Sequence, residues 1–382
     1  MIKKIVIVGA GQAGLAAATR LRQEGFQGQI TMLGDEGTMP YQRPPLSKAY
    51  LLGKLEAERL CFRNSDFFEQ QNIGISQNEP ALEIDRVTNS VVTAHGRYGY
   101  DHLILATGAG PIKLPGSMVE GIGNIFYLRN KADADRLRPA LRKGARLLVV
   151  GGGYIGLEVA AAARQVGAEV TLIEMASRIL NRVAAEPTAS YFRRLHSSQG
   201  VDIREGTGLD GLKADGAAIT ATLADGSRLT IDAVVVGIGV RPNAGLAEAA
   251  GLATDSGIVV DEFGRTSDPT IWAAGDCTSF SYQGERIRIE SVPHAIDQAE
   301  HVAFNILGAG LSYRPRPWFW SDQYSTKLQI AGFNRGYDRA IVSHGTAEGS
   351  MTVSYFQAER LIAVDCLNDA RSFMLAKRQL GL

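Results

Sequence analysis

The chain has 382 residues, 45% of them hydrophobic and 21% charged, with 43 glycines. That is globular usage with many tight turns, and it excludes disordered and collagen-like chains. Its 40 Lys and Arg are balanced by 40 Asp and Glu, so no basic excess draws it to nucleic acid or an anionic membrane.

The length predicts two or three domains. Residues 5–8, Ile-Val-Ile-Val, follow two lysines. This apolar run is too short for a signal peptide and reads as a buried strand. It leads into Gly9-Ala10-Gly11-Gln12-Ala13-Gly14 and then an Ala/Leu-rich segment of helical period. In such a turn Gly9 permits the tight bend, Gly11 lets the backbone approach a pyrophosphate, and Gly14 allows close packing of helix on strand. A second strand, residues 30–33, precedes Asp35, about 20 positions past Gly14, where an acid bonds a ribose hydroxyl. A lone glycine motif is common between strand and helix, but strand, helix and acid together indicate a dinucleotide site.

Residues 41–48 contain no cysteine, and residues 103–108 form another strand ending in glycine that closes the first unit. The whole pattern then recurs. Residues 146–150 run into Gly151-Gly152-Gly153-Tyr154-Ile155-Gly156-Leu157-Glu158, an Ala-rich helix follows, and the next strand ends at Glu174. Residues 233–236, followed by Gly237-Ile238-Gly239, close this second unit. Two such units at one-domain spacing indicate two different nucleotides exchanging electrons. Glu174 suits the adenosine ribose of NAD and repels the 2′-phosphate of NADP, and the next basic residue is Arg178. Further on, residues 270–274 read as a strand ending at Gly275-Asp276, residues 294–307 as a helix, and residues 313–345 as strands after a linker. Asp276 by itself also reads as a turn acid, Glu158 as an ordinary first-turn helix acid and Lys48 as a surface cation. The cysteines, Cys61, Cys277 and Cys366, make no CxxC, metal spacing or disulfide framework, which suits a cytoplasmic protein. The six histidines show no metal spacing, and none of these residues is expected to bind a metal.

The segments Pro44-Pro45-Leu46-Ser47-Lys48, residues 151–158, Gly275-Asp276, Glu290-Ser291-Val292-Pro293 and Pro317-Trp318-Phe319-Trp320-Ser321-Asp322-Gln323 together resemble a known family. It is that of the two-dinucleotide-domain flavoproteins of glutathione-reductase-like fold, and within it the putidaredoxin-reductase-like ferredoxin reductases of bacterial oxygenase systems. The resemblance covers nearly the whole chain, although family members often continue beyond the point matching Leu382. It implies an α/β fold with two Rossmann-like dinucleotide-binding domains plus a C-terminal α+β domain. The FAD domain is expected over residues 1–110 and 234–309, the NAD domain over 111–233 and the C-terminal domain over 310–382.

The resemblance further implies FAD contacts at Ala13, Asp35, Lys48, Ala81, Arg129, Asp276 and Val292, with Glu290 just before them in the last segment. The nicotinamide nucleotide falls to Gly151, Gly153, Gly156, Glu158, Glu174 and Gly239. Lys48 is expected to pair with Glu158 and tune the flavin, Glu158 to orient the nicotinamide carboxamide, and Trp320 to lie over the flavin or else pack as ordinary core. Hydride passes from NADH to FAD, and electrons then leave singly to a 2Fe–2S ferredoxin. The chain is expected to act as a monomer. Family members commonly carry a basic residue where this chain has Glu300, an acid expected to weaken docking to an acidic ferredoxin. Alternative readings are an NADH oxidase or monodehydroascorbate-type reductase without a ferredoxin partner, or a non-catalytic NADH-sensing flavoprotein.

Overall fold

A computed structural model describes residues 2–382. By contacts the chain forms two compact units. One comprises residues 1–42, 58–110 and 241–317, and the other residues 43–57, 111–240 and 318–382.

The first unit is built on a five-stranded parallel sheet in the order Ile271–Ala273, His102–Leu105, Lys4–Val8, Gln29–Leu33, Ile73–Ser76. Its strands are runs of apolar residues because both faces are covered, the usual condition of a parallel sheet. Ile5, Ile7, Ile104 and Trp272 of the sheet share a core with Ala17 and Leu21 of the helix Gln12–Gln23 and with Val302 and Ala303 of the helix Val292–Ile306. Burying each large aliphatic side chain contributes about 1.5–3 kcal/mol. A three-stranded antiparallel sheet, Glu83–Asp85, Ser90–Val92 and Arg97–Gly99, interrupts the unit before the strand His102–Leu105.

The second unit repeats the plan. Its parallel sheet runs Val201–Glu205, Glu169–Glu174, Arg146–Val150, Ala233–Val236, Ile125–Tyr127. Its own antiparallel insertion is Leu209–Asp215, Ala218–Leu223 and Arg228–Ile231. The same unit holds a five-stranded antiparallel sheet ordered Trp318–Gln323, Thr326–Gly332, Arg360–Leu367, Met351–Gln357, Arg339–His344, followed by the helix Ala370–Leu380. The strands expected over residues 313–345 therefore begin only at Trp318, and two of the three inner strands of this sheet, Arg360–Leu367 and Met351–Gln357, lie beyond that range. Leu328, Val353, Tyr355 and Leu367 from it share one core with Leu147, Val149, Leu172 and Phe192. No helix among the described residues is long and apolar enough to cross a membrane.

One charged group lies inside that shared core. Asp365 is fully buried and accepts hydrogen bonds from Thr188 Oγ1 at 2.7 Å and Tyr355 OH at 2.5 Å, with no cation beside it. Burial outweighs these two donors and pushes its carboxyl up to about 6. The native state thus holds this proton more tightly than the unfolded chain does. The stability Asp365 contributes is complete below about pH 4 and is lost as pH rises to about 6. Compared with Asp365→Asn across pH 4–7, the wild type should lose of the order of 2–3 kcal/mol between those limits and then run parallel. Denaturant unfolding at each pH measures the difference. A constant offset across the range would show that the carboxyl does not titrate there.

Candidate active site

The two glycine turns have nearly the same backbone geometry. Gly9 and Gly151 sit at φ +113° and +106°, and a Cβ at either would lie 2.2 or 2.5 Å from the carbonyl oxygen of Ala106 or Gly237. A Cβ at Gly14 or Gly156 would lie 2.0 Å from the carbonyl oxygen of Gly9 or Gly151. Gly11 and Gly153 differ from these, since a Cβ there would meet nothing within 4 Å. Gly11 and Gly153 are also the N-caps of the helices Gln12–Gln23 and Tyr154–Gln165. Neither makes a side-chain cap bond, and neither helix has an acid in its first turn. Each turn therefore presents open space and unpaired N–H groups at the positive end of a helix, which fits a dinucleotide pyrophosphate.

In the first unit several predicted residues gather around this turn. A Cβ at Gly34 would lie 2.9 Å from Ala10, which sets the following Asp35, exposed, close by. The Glu79 N–H donates to the Gly34 carbonyl at 2.7 Å, so the segment leading to Ala81 passes the same corner. Gly275 lies between Ala13 and Ala295, whose β-carbons are 3.2 and 3.5 Å from a Cβ built on it. Asp276 and Val292, at the start of Val292–Ile306, are thereby brought toward Ala13. Reading the sequence did not reveal the residue that fixes this turn. Buried Gln298 accepts from Gly275 N–H at 2.8 Å and from Thr278 Oγ1 at 2.9 Å. Glu290 is exposed and ion-paired with Arg288. Glu300 is bonded to Arg20 at 2.8 Å, so its charge is offset within the unit. The Arg20 guanidinium lies 5.1 Å from the Phe304 ring centroid.

The second unit holds Lys48, Arg129, Gly151, Gly153, Gly156, Glu158, Glu174, Gly239 and Trp320. Glu158 is only 3% exposed. The helix begins at Tyr154, so Glu158 is its fifth residue and not a first-turn acid. Glu158 Oε2 accepts from Lys48 Nζ at 2.6 Å and from Ser47 Oγ at 2.5 Å, and Oε1 accepts from Ser321 Oγ at 2.6 Å. The expected Lys48–Glu158 pair is present, together with two serines the sequence did not flag. Proline shapes the segment that delivers Ser47 and Lys48, since Pro44–Ser47 forms a 3₁₀ turn with φ fixed at its start. Arg43 Nη1 ties this segment to the Arg129 carbonyl at 3.0 Å.

Glu174 secures the glycine turn itself. Its Oε2 accepts from Gly152 N–H and its Oε1 from Ala176 N–H, both at 2.7 Å. Arg178 donates to the Ala184 carbonyl at 2.8 Å and pairs with Glu186, so its guanidinium is already engaged. Gly239 is at φ +117°, with Arg182 Nη2 3.3 Å from a Cβ built there. In the strand Trp318–Gln323 alternate residues face opposite ways. Phe319 meets Tyr154 at 4.7 Å between ring centroids and Ser321 meets Glu158. Trp320 stands on the other side with Trp318, 5.6 Å between centroids, and is half-buried.

Cys277 and Cys366 are fully buried, and burial pushes both thiols up, Cys366 to about 12. Such thiols are inert, because the thiolate is the reactive form. Among the described residues no group of three or more His, Cys, Asp or Glu is placed to hold a metal ion.

Residues 3–299 match the pyridine nucleotide-disulphide oxidoreductase family, and residues 318–381 match the reductase C-terminal family. The chain is 44% identical to putidaredoxin reductase CamA of Pseudomonas putida, covering 98% of this chain and 90% of that protein. It is 42% identical to rhodocoxin reductase of Rhodococcus erythropolis, covering 99% and 89%. A solved structure of the covalent putidaredoxin reductase–putidaredoxin complex superposes with a TM-score of 0.93 at 42% identity, over 99% of this chain and 93% of that one. The chain belongs to the pyridine nucleotide-disulphide oxidoreductase family and, within it, to the putidaredoxin-reductase-like ferredoxin reductases. It is an oxidoreductase that uses FAD and a pyridine nucleotide.

The burial of Glu158 gives Lys48 a structural part as well as a chemical one. Removing the cation strands a buried carboxylate, which costs about 3–5 kcal/mol. Lys48→Met should therefore lower stability by that order, and Lys48→Met combined with Glu158→Gln should recover most of it. Denaturant unfolding of the wild type, both single variants and the double variant measures the coupling. Additive effects would show that the two groups do not depend on each other.

Proposed function

We propose that this protein takes hydride from NADH onto FAD and passes the electrons one at a time to a 2Fe–2S ferredoxin. That ferredoxin serves an oxygenase, either a heme monooxygenase or a ring-hydroxylating dioxygenase. The observation that carries the reading is the Lys48–Glu158 pair, whose acid lies two residues beyond the last glycine of the second dinucleotide turn. When bound, FAD accepts electrons as a pair and releases them singly.

The chain's own residues supply position and charge. Gly9, Gly11 and Gly14 admit the FAD pyrophosphate, and the further FAD contacts we propose are Ala13, Asp35, Lys48, Ala81, Arg129, Asp276 and Val292. Glu290 contributes where it precedes Val292. Gly151, Gly153, Gly156 and Gly239 admit the nicotinamide nucleotide. Glu158 would accept the carboxamide N–H and so orient the nicotinamide. Lys48 would supply a positive charge that favours an anionic reduced flavin. Glu174 accepts from ribose hydroxyls and repels a 2′-phosphate, and Arg178 is not free to reverse that preference. Trp320, on the face of its strand away from Glu158, is our choice for the side chain at the electron exit. The functional division we propose is an FAD part over residues 1–110 and 241–309, an NAD part over 111–240 that keeps the strand Ala233–Val236 and Gly239 with their sheet, and a C-terminal part from 310.

Two features support a protein partner over a dithiol. The sequence has no cysteine pair, and Cys277 and Cys366 are buried. The three free cysteines also suit a reducing, cytoplasmic setting, and we propose that the protein acts there as a monomer. The offset of Glu300 by Arg20 removes the bare acid that would oppose an acidic ferredoxin.

With NADH and a 2Fe–2S ferredoxin the protein should reduce cytochrome c rapidly, and without the ferredoxin only slowly. Turnover should fall as salt rises, since surface charges are screened within about 10 Å at 0.1 M. NADH should give a much higher kcat/KM than NADPH. Glu174→Ala should narrow that gap by weakening NADH by roughly 1–3 kcal/mol, the worth of a charged hydrogen bond. Rapid disulfide reduction, or no ferredoxin-dependent turnover across a broad panel, would overturn the reading. Equal use of both coenzymes would overturn the part assigned to Glu174.

A further inference from the structure

Behind Glu158 lies a series of buried polar groups that the proposed chemistry does not use. Ser321 and Gln323 project from the inner side of the strand Trp318–Gln323, at 0% and 1% exposure, and His196 lies at 0% in the helix Glu186–Ser198. Ser321 Oγ donates to Glu158 Oε1 at 2.6 Å, and Gln323 Nε2 donates to Ser321 Oγ at 3.2 Å. Gln323 Oε1 is 2.8 Å from His196 Nε2, and His196 Nδ1 is 3.4 Å from Tyr324 OH. Tyr324 is the first residue of the two-residue turn joining two strands of the sheet, and it is held at φ +54°. A two-residue hairpin turn calls for positive φ, and here it is an aromatic residue that adopts it.

The direction of every bond in the series follows from Glu158. An ionised carboxylate only accepts, so the Ser321 proton is directed at Oε1. Ser321 Oγ can then only accept from Gln323, which orients the amide with its NH₂ toward the serine and its oxygen toward His196. That oxygen cannot donate, so His196 carries its proton on Nε2, its Nδ1 is an acceptor, and the Tyr324 hydroxyl donates to it. The reverse amide orientation would set a serine lone pair against the carboxylate at 2.6 Å. Burial pushes the His196 imidazolium down to about 4, which keeps the ring neutral as the series requires.

We infer that Tyr324, His196, Gln323 and Ser321 are positioning residues for Glu158, a one-way series of donors that fixes its orientation for the nicotinamide carboxamide. An ionised carboxylate offers about four acceptor sites. Oε2 has taken Ser47 and Lys48, whereas Oε1 has taken only Ser321, so Oε1 retains one for an incoming N–H. Ser321 governs which way that remaining site faces. The inference rests on the assignment of Glu158 to the carboxamide.

The test uses the FAD-loaded enzyme in rapid-mixing reduction by NADH, with NAD⁺ affinity and melting temperature measured on the same proteins. Ser321→Ala should slow the limiting rate of flavin reduction roughly 10-fold, the effect of one charged hydrogen bond. NAD⁺ affinity should change much less, and Ser321→Thr, which keeps the hydroxyl, should recover most of the rate. Tyr324→Phe should act in the same direction more weakly. A wild-type rate in Ser321→Ala beside a slow Glu158→Gln would overturn the inference alone. Wild-type rates in both would overturn the assignment of Glu158 beneath it. An independent readout is ¹⁵N NMR of histidine-labelled protein, with the His196 signal identified by its loss in His196→Gln. A neutral Nε2–H ring at pH 7 is the expected result, and an Nδ1–H or charged ring would overturn the series.

Discussion

Much of the second unit is arranged around a single buried anion. An ionised carboxylate taken out of water costs several kcal/mol, and that cost is offset only if its lone pairs are met by well-placed donors. Glu158 is met by three donors from two other segments, Ser47 and Lys48 on the proline-fixed turn and Ser321 on the strand Trp318–Gln323. The requirement also constrains the strand's register. A shift by one residue would bring Trp320 or Asp322 to the place of Ser321, and the latter would set one carboxylate against another. A single group thus joins a loop, the first helix after the second glycine turn, and the edge strand of the C-terminal sheet.

The glycine turns impose a different constraint, one of exclusion. Gly9, Gly14, Gly151 and Gly156 have no room for a Cβ, while Gly11 and Gly153 have ample room and are glycine all the same. Packing explains the first four. The last two leave the backbone open at a helix N-terminus, which is what close approach of a pyrophosphate requires. The uncapped helix ends beside them are suited to phosphate, and Glu174 adds rigidity by bonding Gly152 N–H from across the turn.

The parts legible in the sequence were those set by local rules. The strands 5–8 and 146–150 were visible as apolar runs, the turns as glycine spacing, and the acids Asp35 and Glu174 by their distance from it. Lys48 and Glu158 were singled out through a family resemblance, because they are 110 positions apart and nothing local links them. Ser321, 163 positions from Glu158, and Gln323, 127 from His196, were passed over for the same reason. Serine and glutamine in a strand carry no signal until the fold gives them a partner. Glu300 shows the converse, since comparison with the family marked it as an acid where a base is common, while its partner Arg20 lay 280 positions away. The double duty of Glu174 was equally hidden, because its backbone partners have no side-chain signature.

The chemistry of the groups behind Glu158 also limits what they can do. A hydroxyl or an imidazole can take a proton on one side and release one on the other, but an amide does so only by passing through a high-energy imidic form. Gln323 therefore breaks any path for protons between His196 and Ser321, while still passing on a fixed direction of hydrogen bonding. Polarity, not charge, is transmitted from Tyr324 to Glu158. This suits a carboxylate that must remain an acceptor: a wire able to deliver a proton would neutralise the group on which Lys48 and the serines converge. Burial holds His196 neutral for the same end, because a charged ring would donate from both nitrogens and leave the Tyr324 hydroxyl with no acceptor.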